Sequence, residues 1–107
     1  MEKSGFLTFE TAQKIAEKYS TPCYVYDEAA LVAQAKKALA FPNAFGLTVR
    51  FAMKASSNRA ILRLFGSLGL HIDASSAYEV ERAMLAGIPA DRISLSSQQP
   101  VSYTHLR

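Results

Sequence analysis

From residue 47 onward the chain alternates short apolar runs with amphipathic stretches, and this narrows its possible folds more than any other feature. Residues 47–54 combine aromatic and β-branched side chains and close on Ser56, Ser57 and Asn58, the pattern of a strand leaving into a loop. A helix is expected over about 59–68, where Ile61, Leu64, Phe65 and Leu68 form an apolar stripe and Gly69 stands where a C′ glycine belongs. The next strand covers 70–75. Ser76 and Glu79 match a capping box for a helix running through Val80, Ala83 and Met84 to Gly87. Beyond Ile88-Pro89-Ala90-Asp91, residues 92–97 read as a third strand. Strands and helices alternating across short polar loops indicate an α/β fold with a parallel sheet. Strand starts recur roughly every 22 residues, which fits both a (β/α)8 barrel and an open doubly wound sheet.

Side chains on a strand alternate between two faces. Val49, Phe51, Met53 and Ala55 then share one face of the first strand, and Thr48, Arg50, Ala52 and Lys54 the other. In the second strand Leu70, Ile72 and Ala74 oppose His71, Asp73 and Ser75; in the third, Ile93 and Leu95 oppose Ser94 and Ser96. An open sheet covered by helices on both sides is apolar on both faces. Here one face is apolar and the other polar or small. That favours a barrel with helices outside and a polar interior that holds a ligand.

Lys54 is expected at the rim of this interior, above the small Ala52. An amine at the edge of a buried strand is costly to keep charged, which makes it a candidate Schiff-base former. A lysine that snorkels to solvent where its strand ends is the commoner outcome. Asp73 is expected to point inward from the neighbouring strand, near the end where barrel active sites sit. An acid so placed can orient the lysine or a cofactor bound to it, and a structural ion pair is the alternative. Ser76 and Glu79 are expected as helix caps. Ser56, Ser57 and Asn58 precede a helix N-terminus, which can hold an anion, although capping is the commoner role. His71 has no partner at ligand spacing and is expected to be structural.

The amino-terminal part is helical with interruptions. Residues 9–19 carry Phe9, Ala12, Ile15, Ala16 and Tyr19 at helical spacing behind Thr8 as N-cap. Ser20, Thr21 and Pro22 stop this helix, and 23–26 reads as a short strand. Asp27 caps a second helix over about 28–41, with Leu31, Ala35, Ala38 and Leu39 on one face, before Pro42, Asn43 and Gly46 break the chain.

Half of the 107 residues are hydrophobic and a fifth are charged, a globular composition. The net charge of +3 is spread among acids without a basic run or an aromatic-basic patch, so no nucleic-acid partner is expected. No apolar run approaches the ~20 residues of a membrane span, and residues 1–6 lack a secretory h-region, so no membrane partner and a cytoplasmic location are expected. A single cysteine, Cys23, excludes an internal disulfide framework and leaves a metal site without partners; it is expected as a small apolar strand residue.

Four motifs in order carry a resemblance: Thr-Pro-Cys-Tyr-Val-Tyr-Asp at 21–27, Arg-Phe-Ala-Met-Lys-Ala-Ser-Ser-Asn at 50–58, His-Ile-Asp-Ala-Ser-Ser at 71–76 and Glu-Arg-Ala-Met-Leu-Ala-Gly-Ile-Pro-Ala-Asp-Arg-Ile at 81–93. Together they resemble the start of the fold-type III pyridoxal-phosphate decarboxylases, and within these the diaminopimelate branch, over about residues 20–98. The family pattern Tyr-Ala-Val-Lys-Ala-Asn reads Phe-Ala-Met-Lys-Ala-Ser here, with Phe51 and Ser56 as departures. The resemblance implies the first three βα units of a pyridoxal 5′-phosphate-binding (β/α)8 barrel of the alanine racemase-like type. It implies a Schiff base between Lys54 and the cofactor aldehyde, Ala52 as the small residue beside the cofactor, and Asp73 as an acid near it. Alanine racemases share the fold, but their lysine motif continues Ala-Asn-Ala-Tyr-Gly-His-Gly, which this chain lacks. Ornithine and arginine decarboxylases share the lysine and aspartate motifs and stay open as relatives. A non-catalytic regulatory module on the same barrel start also stays open.

The family's later segments bring a glycine-rich phosphate loop, a histidine stacked on the ring, an acid at the pyridine nitrogen, a carboxyl-terminal β-domain and a cysteine from a second subunit. The expectation is therefore an inactive amino-terminal fragment of a homodimeric enzyme that takes an amino-acid substrate. Its expected parts are 1–26 as helix and short strand, 27–98 as barrel start, and 99–107 as a non-native tail, since the resemblance stops after Gln98.

Overall fold

A computed structural model of the chain describes residues 5–96, so the tail expected at 99–107 lies outside the described residues. The chain divides after Leu31 into two compact units.

In the first unit, helix α1 (Phe9–Tyr19) opens on Thr8, whose hydroxyl accepts the Thr11 N–H at 3.1 Å. Its stripe is only partly covered. Ala12, Ile15 and Ala16 are half-buried, whereas Phe9 and Tyr19 are exposed. Residues 23–26 form no strand, contrary to expectation, and Cys23 is exposed. Extended backbone becomes a strand only through a ladder of hydrogen bonds to a neighbour, and no described segment pairs with these residues. Helix α2 (Glu28–Leu39) begins at Asp27, whose carboxylate accepts the Ala30 N–H at 3.4 Å. It ends before the expected Phe41, because a residue that precedes a proline, here Pro42, is disfavoured in helical backbone.

The second unit, which begins within α2, continues with β1 (Arg50–Ala52), a 3-10 turn (Met53–Ala55), α3 (Arg59–Ser67), β2 (His71–Ala74), α4 (Ala77–Leu85), a second 3-10 turn (Ala90–Arg92) and β3 (Ile93–Leu95). The strands form one parallel sheet in the order β1-β2-β3. Phe51, Ile72 and Ile93 stand in register, as do Ala52, Asp73 and Ser94. The fold is thus α/β with a three-stranded parallel sheet.

The alternation expected of the strands sets the core. Ile72 and Ala74 are buried with Met53, Leu62, Ala83, Ala86 and Ile88, and Phe51, Val80 and Ile93 pack against them. The Phe51 and Phe65 rings meet edge-to-face at 4.8 Å, which ties β1 to α3. The opposite face carries Arg50 beside His71, then Ala52, Asp73 and Ser94. His71 and Asp73 are half-buried.

Helices α3 and α4 hand over to the next segment in the same way. Leu70 N–H donates to Phe65 O at 3.0 Å and Gly69 N–H to Gly66 O at 3.1 Å; Ile88 N–H donates to Ala83 O at 3.1 Å and Gly87 N–H to Met84 O at 2.9 Å. These are two Schellman ends, each needing a left-handed residue, supplied by Gly69 at φ 103° and Gly87 at φ 90°. The apolar residue after each glycine enters the core, so the motif both ends the helix and starts the return to the sheet. Among the described residues no helix is long and apolar enough to cross a membrane.

Candidate active site

The chemistry-bearing residues gather at the carboxyl ends of the strands. β1 is shorter than the expected 47–54. Its ladder runs from Val49, whose carbonyl accepts the His71 N–H at 2.8 Å, to Ala52. The Ser56 N–H then bonds back to Met53 O at 3.1 Å, closing a 3-10 turn instead of continuing the ladder. Lys54 therefore sits on this turn just past the strand, not on the strand. Met53 anchors the turn in the core, while Lys54 beside it is exposed and makes no hydrogen bond or ion pair among the described residues. The burial expected of Lys54 is absent, and Arg50 and Ala52 on the same face of β1 are exposed as well, since nothing among the described residues covers that side of the strand. What marks the amine out is its freedom from partners.

Asp73 lies in register with Ala52 and forms no ion pair with Lys54. Its Oδ1 accepts the hydroxyls of Ser94 at 3.1 Å and Ser96 at 2.8 Å. Its Oδ2 has no partner among the described residues. The sequence placed Ser94 and Ser96 on the polar face, but their role as partners of Asp73 needs the β2–β3 register, which no local pattern encodes.

The capping residues do what their spacing predicted. Asn58 Oδ1 accepts the N–H groups of Ala60 at 2.8 Å and Ile61 at 3.3 Å, and Ser76 Oγ accepts that of Glu79 at 3.2 Å. Glu79 departs from a strict capping box by reaching one residue further back, where its carboxylate accepts the Ser75 N–H at 2.9 Å and the Ser75 hydroxyl at 2.8 Å. The N–H groups of Ala60, Ile61 and Glu79 are thus already taken by the caps of their own helices.

One further residue bears on the site. Arg82, on α4, donates to the Ser57 carbonyl from Nε at 3.4 Å and Nη2 at 3.2 Å, and from Nη1 to Tyr78 Oη at 3.3 Å. It fastens the loop that follows Lys54 to α4. The only local trace of this is the Tyr78–Arg82 helical pair, which says nothing about Ser57.

A free primary amine, a small Ala52 before it and a carboxylate with one open oxygen suit an aldehyde cofactor whose ring needs a polar neighbour. The residues present therefore fit the aldehyde side of pyridoxal 5′-phosphate.

Comparison with known proteins identifies the family that the chain resembles. A family model of the pyridoxal-dependent decarboxylases, for their pyridoxal binding domain, matches residues 29–104, which runs past the Gln98 where the motif resemblance stops. The chain is similar to the diaminopimelate decarboxylase of Zymomonas mobilis subsp. mobilis, 42% identical over 99 residues, covering 88% of this chain and 24% of the relative. It is similar to the diaminopimelate decarboxylase of Bacillus subtilis, 44% identical over 84 residues, covering 74% and 18%. It is also similar to that of Streptomyces coelicolor, 42% identical over 72 residues, covering 67% and 15%. The chain thus spans a quarter or less of the length of these relatives.

Proposed function

The chain belongs to the pyridoxal-dependent decarboxylases through their pyridoxal-binding domain, and from that premise we propose that it is the amino-terminal part of a diaminopimelate decarboxylase. In this reading the parent removes a carboxylate from meso-diaminopimelate as carbon dioxide, leaving lysine, and works as a cytoplasmic homodimer. Residues 27–98 form the start of a (β/α)8 barrel. Sequential strand order, with both intervening helices packed on the core face of the sheet, supports a barrel over an open sheet that reverses at a switch point.

Lys54, Ala52 and Asp73 are the cofactor-binding residues, and Lys54 is the catalytic one. The observation that carries this is the free Lys54 amine on the turn just past a strand end whose neighbour presents Asp73 in register with Ala52. The amine, once deprotonated, is a nucleophile toward the cofactor aldehyde, and with no ion pair among the described residues it has none there to give up first. Ala52 leaves room beside the ring. Asp73 offers Oδ2 as an acceptor that fixes the orientation of a bound polar group. When bound, the cofactor supplies an electron sink for the pair left on the α-carbon as the carboxylate departs.

The test is to assay the full-length protein for carbon dioxide release from meso-diaminopimelate, ornithine and arginine, and to reduce it with borohydride before peptide mass spectrometry. Turnover of diaminopimelate above the other two, with the cofactor mass on the peptide holding Lys54, is the expected result. Substituting Lys54→Ala should remove both the mass and the turnover. Turnover of ornithine or arginine in preference would move the assignment to those decarboxylases, and no turnover with cofactor still held would favour a regulatory module.

A further inference from the structure

We propose that Ser96, assisted by Ser94, is a positioning residue: it holds the Asp73 carboxylate by one oxygen so that the other stays available to the bound cofactor. This rests on the reading of Asp73 as a cofactor-binding residue and goes beyond it, because both serines come from the β3 end and neither touches Lys54.

A carboxylate on a strand has two rotatable bonds, and a single hydrogen bond from a hydroxyl leaves it free to pivot. Asp73 has two such bonds, and both end on Oδ1. Two hydroxyls from different residues converging on one oxygen fix its position, and the planar group then places Oδ2 by geometry. The hydroxyls are not equal. The Ser94 hydroxyl also lies 3.4 Å from the Ile72 carbonyl, so its one proton is shared between two acceptors. The Ser96 hydroxyl has Asp73 as its single acceptor among the described residues, at the shorter distance of 2.8 Å. Ser96 is therefore the main holder. The parallel register explains the pairing: Ser94 stands directly across from Asp73, and Ser96 lies two residues on, on the same face, beyond the last ladder pair. Its backbone N–H still bonds to Ala74 O at 2.8 Å, so its position is fixed by the sheet.

The experiment uses the full-length protein with pyridoxal 5′-phosphate as the probe. Ser96→Ala should raise the cofactor dissociation constant and lower kcat, each by about tenfold, the scale of losing a hydrogen bond to a charged group. Ser94→Ala should cost less, and Ser96→Thr, which keeps the hydroxyl on a β-favoured side chain, should restore both values. The decisive arm is a double-mutant cycle read on the dissociation constant. In an Asp73→Ala background, or Asp73→Val if the alanine variant does not fold, Ser96→Ala should have no further effect. An equal loss with and without Asp73 would overturn the proposal, as would a Ser96→Ala protein that binds and turns over like the parent. If Lys54→Ala also keeps full turnover, the functional reading fails instead; if Lys54→Ala is dead while Ser96→Ala is unchanged, only the role of Ser96 fails.

Discussion

Met53 and Lys54 are adjacent, yet one is fully buried and the other exposed with no partner among the described residues. Strand alternation would also part them, and the 3-10 turn, at about a third of a turn per residue, still leaves Met53 on the core side and Lys54 outside it. Met53 is thus the residue that holds Lys54 in place without sharing its chemistry. Truncation of Met53→Ala in the full-length protein should destabilise it by about 2–5 kcal/mol, because a thioether side chain with no exposed surface leaves a cavity. Met53→Leu should cost less than about 1.5 kcal/mol. Denaturant midpoints measured at constant m would check both, and equal stability of the alanine variant would mean that the turn is not anchored from the core. At this scale the sequence already indicated that Phe51 and Met53 face the helices and that Ala52 and Asp73 lie on the other side. It did not reveal where β1 stops, because a 3-10 turn closed by one backbone bond has no side-chain signature. Nor did it reveal that Asp73 takes serine hydroxyls instead of an ion pair with Lys54.

Helix ends were the most legible elements because their chemistry is local. Thr8, Asp27, Asn58 and Ser76 each accept an N–H two or three residues on, within the reach of sequence spacing. Strand ends are not local, which is why 47–54 shrank to three residues and 23–26 formed no strand. The repeated Schellman ends give a sharper expectation. Gly87 sits at φ 90° with open space where a Cβ would go, so strain and not collision governs its replacement. Gly87→Ala should cost about 1–2 kcal/mol, the penalty for a Cβ in left-handed backbone. Thermal melting of the full-length variant would read this, and a neutral or stabilising change would argue that the α4 end does not keep this conformation in solution.

The second unit is an α/β body whose sheet has two open edges among the described residues. β1 and β3 each pair on one side only among the described residues, leaving two strand edges with open donors and acceptors. Such edges template association with other chains unless something covers them. On the polar face, Arg50, His71 and Asp73 form no ion pair among the described residues, and Phe41, Phe45 and Leu47 are exposed ahead of β1. A closed barrel would remove both edges and supply an opposite wall to the polar face. Residues 1–107 expressed alone should therefore associate as concentration rises, lose pyridoxal 5′-phosphate on dialysis, and release no carbon dioxide from diaminopimelate above the free-cofactor background. Sedimentation at several concentrations, cofactor absorbance after dialysis and trapped carbon dioxide measure the three. A monomer that keeps one cofactor per chain would mean that three strands, Lys54 and the Ser96-held Asp73 suffice for binding, and that the rest of the barrel serves the reaction alone.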